Sequence, residues 1–217
     1  MHMKYFLPIL VTVFASCHSK DPVKQDKKGP TGSNNVVAEC DYEKRKLGCR
    51  KLLATYNDSK KMSDGKQLQI YFADSLLPCW YGTPWDYNGR SLSPARGNIA
   101  CGYFITTTLM HAGLAVNRIK MAQCPSSELI RSVCTGIKIY SNKPVAELIN
   151  QVKKDGMGLY IAGLDFHTGF IWYDGSEVYF IHASYYGSKC VVREKAAGCA
   201  VLTNSKLKMT GKVNFMQ

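Results

Sequence analysis

The sequence lacks several patterns that would assign a chain to a common functional class. Its nine cysteines form no Cys-x-x-Cys pair and show no zinc-type spacing with histidine, so we expect no metal and no other cofactor. It has no arginine-rich helix and no recognisable nucleic-acid motif, which argues against a nucleic-acid partner. Low-complexity runs and internal repeats are also missing from the body of the chain, which favours a globular protein over a disordered one.

Acidic residues are scarce as well. The chain has 16 Asp and Glu residues against 28 Lys and Arg residues, which gives a formal net charge of +12. A strongly basic surface attracts polyanions, including a cell-wall polymer or an anionic membrane face. The 217 residues, 46% of them hydrophobic, suffice to bury one substantial core.

The N-terminal apolar run, YFLPILVTVFA, is too short to span a membrane. It ends in FASC and resembles a bacterial lipoprotein signal in which Cys17 is lipidated, with Phe14 as a departure where such signals more often carry Leu. The alternative is an ordinary secretory leader with a chance cysteine. We therefore predict a lipid-anchored protein of the bacterial cell envelope, periplasmic or surface-facing. Its predicted segments are a signal peptide at 1–16, a flexible tether at 17–36 and one globular domain at 37–217.

An oxidising compartment makes disulfides expected among the remaining cysteines. The short spacing of Cys190 and Cys199 suggests one bridge. Two further pairings, Cys40 with Cys49 and Cys124 with Cys134, are weaker hypotheses, because connectivity cannot be read from sequence alone.

Helical patterns in the first part of the chain give way to strand patterns in the second. Helices are predicted over 40–57, from about residue 101 to Gly113, over 126–133 and over 144–156. Strands are predicted over 158–164, 167–173, 177–185, 190–195 and near 208–215. This order indicates an α+β fold, with N-terminal helices packed on an antiparallel sheet. Between them, residues 78–98 are rich in turn formers and aromatics, and we expect them to be an ordered functional segment.

Cys101 lies where a glycine-containing loop turns into a helix, in the stretch GNIACGYF. The free N–H groups of a helix start stabilise negative charge, so we expect a lowered thiol pKa and a ready oxyanion site. The alternatives are a buried free cysteine and one half of a disulfide.

A nucleophilic cysteine needs a histidine partner. Two of the five histidines fall in the leader and the tether, and His111 lies roughly 15 Å along the helix from Cys101, at 1.5 Å per residue. His167 and His182, both in predicted strands, remain.

The turn between these two strands predicts that the histidines meet. Asp174-Gly175 is a strong hairpin signal, and as a two-residue loop it places His167 opposite His182, with Cβ atoms about 5 Å apart. A loop one residue later would place Ser184 opposite His167 instead. The pair suggests a triad in which Cys101 attacks, His167 is the base and His182 orients it.

Four short motifs, GTPWDYNG, IACGYF, HTGFI and FIHAS, follow one another in this order. Together they resemble the NlpC-type cell-wall cysteine peptidases, bacterial enzymes of papain-like fold that cut peptidoglycan stem peptides. The similarity runs from about Trp80 to Ser184. The resemblance implies that Cys101 is the nucleophile, His167 the base and His182 the third polar member of the triad.

The chain departs from this family near the nucleophile. Ala100 and Gly102 stand where the family has Asp and Ser, which help to bind a free substrate amine, so a free-amine specificity is in question. Trp85 replaces the family's loop tyrosine. Tyr87 either supplies the missing hydroxyl or packs, and Asp86 either contacts a substrate amine or stabilises its loop. We predict these three as substrate-binding residues.

The resulting functional hypothesis is a cysteine peptidase or amidase that hydrolyses amide bonds of peptidoglycan stem peptides, with peptidoglycan or another peptide as its partner and the membrane reached through the lipid. Two alternatives stay open. One is an amidase acting on a different peptide, and the other is an inactive envelope-binding lipoprotein on a peptidase-like scaffold, with Cys101 oxidised into a bridge.

Overall fold

A six-stranded antiparallel sheet lies at the centre of the protein, in a computed structural model that describes residues 40–216. The strands are β1 (Cys134–Ser141), β2 (Gly158–Leu164), β3 (Thr168–Tyr173), β4 (Val178–Ala183), β5 (Val191–Lys195) and β6 (Leu207–Val213). They are arranged in the order β1-β6-β2-β3-β4-β5. The α-helices are α1 (Tyr42–Ser59), α2 (Met62–Tyr71), α3 (Cys101–Ala112), α4 (Arg118–Gln123), α5 (Ser126–Val133), α6 (Val145–Asp155) and α7 (Ala200–Asn204). After α2 the chain continues as a π-helical turn, Phe72–Leu76, and a 3-10 turn, Leu77–Trp80.

The mixed helical and antiparallel architecture confirms the predicted α+β class. The sequence patterns did not predict β1, α2, α4 or α7. The predicted signal peptide at 1–16, the lipidated Cys17 and the tether at 17–36 lie outside the described residues. Within residues 40–216 no helix combines the length and the apolar character needed to span a membrane.

Both faces of the sheet are covered by hydrophobic cores. The first core joins α1, α2, α3 and α5 to one face, through residues such as Phe104 and Phe170. The second core joins α6 and α7 to the other face, through residues such as Leu148 and Phe180. Alternate residues of β2, β3 and β4 point into the two cores because successive strand side chains point to opposite faces. The central strands are therefore apolar on both sides, as the GLYIAGL and TGFIWY runs indicate.

The start of α3 is fixed by the loop that precedes it. Ala100 is extended and its N–H donates to the Gly89 carbonyl at 2.9 Å, while its own carbonyl accepts from the Phe104 N–H at 2.8 Å. The helix ends where predicted, because Gly113 takes the left-handed conformation (φ 106°) that closes the last turn. Cys101 thus occupies the first helical position of a helix buried along most of its length.

All three predicted disulfides are wrong. Cys40 pairs with Cys79, with Cα atoms 5.5 Å apart, and joins the start of the described chain to the 3-10 turn after α2. Among the described residues, the other six cysteines are free thiols: Cys49, Cys101, Cys124, Cys134, Cys190 and Cys199. The pairing was not readable because Cys40 and Cys79 are 39 residues apart and meet only through the packing of α1 against the turns after α2.

Gly102 lies directly under α4. A Cβ atom at this position would stand 2.4 Å from the Ala122 carbonyl oxygen, a backbone atom that cannot move aside alone. We expect Gly102→Ala to lower the free energy of unfolding by about 1–3 kcal/mol, the usual cost of overpacking, as measured by urea denaturation. The control is Gly198→Ala, whose Cβ would meet no atom within 4 Å. Equal stability of the two variants would contradict this packing.

A buried hydrogen-bond chain links α1, the 3-10 turn and α3. The Trp80 indole N–H donates to the Tyr42 hydroxyl at 2.7 Å, and that hydroxyl donates to His111 Nδ1 at 2.9 Å. Burial, and next the charges of Lys46 and Arg50, lower the pKa of His111 to about 4. His111 is therefore a neutral structural acceptor and does not serve the predicted site.

This histidine makes the fold sensitive to acid. Below pH 6.5 the unfolded imidazole takes up a proton, whereas the folded one stays neutral down to about pH 4, so the free energy of unfolding falls as the pH falls through this interval. Calorimetry should show a melting temperature that declines over this range, and a shallower decline for His111→Gln, which retains an acceptor for Tyr42. An unchanged slope in that variant would rule out His111 as a source of the acid sensitivity.

Candidate active site

Cys101 and His167 both line a cleft of about 630 Å³. Trp85, Tyr87 and Tyr185 are among the aromatic residues of the same lining. Cys101 and His167 also both line the adjoining hollow next to α5. Another cavity of about 560 Å³, beside α2 and β6, has no cysteine, histidine or carboxylate in its lining. The chemistry predicted from sequence therefore converges on the cleft at the start of α3.

The Cys101 side chain is partly buried at the start of α3. Burial raises its pKa above the ordinary value, and hydrogen bonds from the backbone N–H groups of Thr168, Gly102 and Cys101 itself oppose that rise. The expected lowered pKa is therefore wrong, because desolvation outweighs the N–H groups of the helix start. The Thr168 N–H, next to His167 in the chain, ties the sulfur to the beginning of β3.

The register of β3 and β4 differs from the predicted one. Phe170 pairs with Ile181 and Tyr173 with Val178, so the turn spans residues 174–177 instead of two residues. The Asp174 carboxylate stabilises this longer turn by accepting hydrogen bonds from backbone N–H groups of residues 176 and 177. The change shifts the pairing by two positions, and an even shift leaves every side chain on its expected face.

The two histidines still meet, as diagonal neighbours. His167 precedes β3 instead of lying in it, and the register places His182 opposite Gly169. The two imidazoles join through His167 Nε2 and His182 Nδ1, 2.8 Å apart. Gly169 provides the room for this approach, because a Cβ atom there would stand 2.5 Å from the Phe180 ring and 2.7 Å from the His182 Cβ.

A carboxylate that the sequence analysis did not identify extends this pair. Glu194 on β5 lies with its Oε1 atom 2.8 Å from His182 Nε2, and the Cys199 thiol donates to the same oxygen at 3.3 Å. The long connection between β4 and β5 hides the register that brings Glu194 beside His182. The result is a hydrogen-bonded chain of His167, His182 and Glu194.

This chain determines which ring nitrogens carry protons. The hydrogen bond to His182 is the main reason that the pKa of Glu194 lies below its usual value, so the carboxylate is ionised and accepts the His182 Nε2–H. His182 Nδ1 then accepts the proton of His167 Nε2, which leaves His167 Nδ1 with a free lone pair. Burial, and next the neighbouring His182, lower the pKa of His167 to about 3. His167 is thus a neutral base in an assigned tautomer.

The predicted substrate-binding residues occupy different positions. The half-buried Trp85 packs on Tyr185, with ring centroids 6.1 Å apart, and Tyr185 packs edge-on against the His167 ring at 5.1 Å. Tyr87 is 81% exposed and lines the cleft. Asp86 does not line the cleft described here. Its carboxylate accepts the Asn88 backbone N–H at 2.8 Å, which is the loop-stabilising alternative.

The side chains of His182, Glu194 and Cys199 are of metal-ligating type, and their ligand atoms lie within 4.8 Å of one another. His182 Nε2 and Cys199 Sγ are already hydrogen-bonded to the one Glu194 oxygen, so a metal ion would have to replace these bonds. The arrangement that the side chains form here is that of an orienting network for His167.

Removal of the Glu194 charge should alter the histidine tautomers. In Glu194→Gln the amide no longer requires a proton on His182 Nε2, so we expect ¹⁵N chemical shifts of both imidazoles to move from one tautomer towards a mixture at neutral pH. The control is Glu177→Gln, which removes a carboxylate that pairs with Lys195 at the surface. Identical imidazole spectra for wild type and Glu194→Gln would show that Glu194 does not set the tautomers.

Comparisons of the chain with protein-family models, with curated proteins and with solved structures found no match. The interpretation of the cleft therefore rests on its geometry and on the four short motifs. The geometry consists of a thiol at a helix start, a neutral imidazole in the same cleft, and a second imidazole and a carboxylate that orient the first.

Proposed function

We propose that the protein is a cysteine peptidase or amidase that hydrolyses amide bonds of peptidoglycan stem peptides by acyl transfer. The observation that carries the proposal is the hydrogen-bonded chain of His167, His182 and Glu194, because it orients a neutral base in the cleft that holds Cys101. Buried pairs of histidines are costly to leave without partners, and an oriented pair beside a thiol is the arrangement that nucleophilic catalysis requires.

In the proposed reaction, Cys101 Sγ attacks the amide carbonyl carbon while its proton passes to His167 Nδ1. The Cys101 N–H at the start of α3 stabilises the oxyanion, as helix N-termini do for developing negative charge. His167 then gives the proton to the leaving amine, and the C–N bond breaks. Water, deprotonated by His167, hydrolyses the thioester and releases the acid and the thiol.

The resting pair is neutral in this scheme, because the Cys101 pKa is raised and the His167 pKa is lowered. Charge separation therefore develops during the reaction and needs stabilisation at that moment. Glu194 supplies it through His182, since its negative charge favours a positive charge on the imidazole pair. This assigns Glu194 a positioning and electrostatic role, without contact to the substrate.

The proposal includes a papain-like fold of the NlpC type. A nucleophile at the start of a helix, a base at the start of one strand and a third polar residue on the next strand are the arrangement of the papain-like, NlpC-type peptidases that the motifs resemble. The family's Ser cannot replace Gly102 without displacing α4, because the Ala122 carbonyl fills that space. Together with Ala100, this supports a substrate other than a peptide with a free amine beside the scissile bond.

We further propose that the protein works in the bacterial cell envelope, with the membrane reached through lipid on Cys17. The support is the lipoprotein-like leader and the net charge of +12, which suits an anionic wall or membrane surface. The partner is peptidoglycan or another peptide of the envelope.

One observation favours a second candidate function. Burial keeps the Cys101 thiol protonated at neutral pH, which also suits an inactive envelope-binding lipoprotein that uses the aromatic cleft only to hold a peptide. The two candidates differ in whether Cys101 is required for the cleavage of a bond.

Digestion of purified sacculi, followed by mass spectrometry of the soluble products, tests the enzyme. We expect the wild type to release peptide fragments, and Cys101→Ala and His167→Ala to lose at least about a thousandfold in rate. Cys190→Ala removes another free, partly exposed thiol and should retain activity. Iodoacetamide should alkylate Cys101 faster as the pH rises, in line with its raised pKa.

Two results would count against the enzyme. Undiminished digestion by Cys101→Ala would exclude the assigned nucleophile. Binding of sacculi by the wild type without release of any fragment would support the inactive binding protein instead.

A further inference from the structure

Within residues 40–216, Arg90 is the one charged side chain that lines the cleft around Cys101, besides the titratable residues of the triad. No carboxylate lines this cleft among the described residues. Asp165 lines the adjoining hollow, but its carboxylate oxygens accept hydrogen bonds from Ser205 and from the backbone N–H groups of residues 206 and 207. The charge in the lining of the cleft itself is therefore positive, whereas the ionised Asp165 carboxylate lies in the adjoining hollow.

The Arg90 guanidinium has no hydrogen-bond or ion-pair partner within residues 40–216, and it lies over the Tyr103 ring, whose centroid is 5.6 Å away. Its neighbour Arg118 differs in this respect. Arg118 packs on the same ring at 4.8 Å, and it donates to Thr107 Oγ1 at 2.7 Å and to the Arg90 carbonyl at 2.7 Å. Arg118 is thus a structural residue, whereas the N–H donors of Arg90 remain available.

The backbone holds Arg90 close to the nucleophile. Arg90 forms an antiparallel bridge with Ile99, two positions before Cys101. Tyr103, whose ring lies under the Arg90 guanidinium, is in the first turn of α3. Its hydroxyl accepts a hydrogen bond from Gln123 at 3.0 Å. The ring that supports Arg90 is therefore fixed, and Arg90 and Cys101 line the same cleft.

A guanidinium presents paired N–H donors in the geometry of a carboxylate, and a carboxylate bound to it makes two charge-assisted hydrogen bonds. A substrate ammonium group would be repelled by Arg90 and by the nearby Arg118. Ala100, in the same lining, stands where the family has an acidic residue. This also favours a substrate carboxylate, because no negative charge at that position competes for Arg90.

We propose that Arg90 is a specificity-determining residue that binds a substrate carboxylate next to the scissile amide. The inference rests on the proposed hydrolysis of peptides at Cys101 and names its substrate class, which is a peptide with a free carboxylate within a residue or two of the cleaved bond. The carboxylate belongs either to an acidic side chain or to the C-terminus of the peptide, since the guanidinium recognises the same group in both.

Binding and cleavage of matched peptides test this assignment. The probes are stem peptides released from peptidoglycan in four forms: with all carboxylates free, with only side-chain carboxylates amidated, with only the C-terminal carboxylate amidated, and with all amidated. Calorimetry on Cys101→Ala measures binding without turnover, and kcat/KM of the otherwise unaltered protein measures cleavage. The two singly amidated forms identify which carboxylate is bound.

We expect complete amidation to weaken binding to Cys101→Ala, and to lower kcat/KM, by about tenfold or more, the usual effect of losing hydrogen bonds to a charged group. In Arg90→Ala the free and amidated peptides should become equivalent within about twofold, and Arg90→Lys should restore part of the preference. Arg96→Ala removes the same charge from an exposed position of the same loop, outside the cleft lining, and should keep the full preference.

Equal binding of free and amidated peptides by Cys101→Ala would overturn the assignment, and so would a preference that survives in Arg90→Ala. Absence of binding of all four forms would overturn it together with the proposed function. Cleavage without charge preference overturns the role of Arg90 alone. Selective binding of the free peptides by Cys101→Ala without cleavage by the active chain would uphold that role and overturn the peptidase.

Discussion

The 2.8 Å hydrogen bond between His167 Nε2 and His182 Nδ1 is the interaction on which the candidate site depends. It forms because Gly169 lacks a Cβ atom, so that His182 can lean across β3 towards the end of the strand where His167 lies. His167 is the donor in this bond because Glu194 accepts the proton on the other ring nitrogen of His182, Nε2. Without that carboxylate the hydrogen bond between the two rings could run in either direction, and only one direction leaves His167 Nδ1 free to accept a proton.

Burial gives this arrangement its electrostatic character. Desolvation raises the pKa of the thiol and lowers that of His167, so both groups rest in their neutral forms. The buried surroundings of the imidazole pair strengthen the interaction between the Glu194 carboxylate and any positive charge that develops on the two rings. The half-exposed Glu194 side chain itself stays ionised because water and His182 both stabilise its charge. The network thus connects a solvated carboxylate to a desolvated base.

Local patterns in the sequence predicted the elements that carry the site, whereas contacts between distant segments escaped prediction. The end of the helix that begins at Cys101 follows from Gly113, and the shared face of the two histidines follows from the alternation of side chains along the strands. The predicted register of β3 and β4 was wrong, because the Asp174 carboxylate stabilises a longer turn than the Asp-Gly pair alone suggests. The prediction that both histidines lie on the same face of the sheet was nevertheless right, because the register was wrong by an even number of residues.

Glu194 and the disulfide show where sequence reasoning lacks information. Glu194 meets His182 through the pairing of β4 and β5, whose connection contains no short turn that would fix the register. Cys40 meets Cys79 because α1 packs on the turns after α2, and no spacing rule encodes that contact. The papain-like resemblance and the roles of Trp85, Asp86 and Tyr87 in substrate binding remain predictions of the motifs.

The hydrogen-bonded network also ties the cleft to the opposite side of the sheet. Cys101 lies at the start of α3 over the first core, whereas Phe180, which stacks on His182 with ring centroids 4.3 Å apart, belongs to the second core. Glu194 is held in addition by Cys199, which caps the start of α7. The orientation of the base therefore depends on packing beneath the sheet, away from any substrate. Because Gly169 is the point where the network passes across β3, a side chain there would disturb both the second core and the base that it orients.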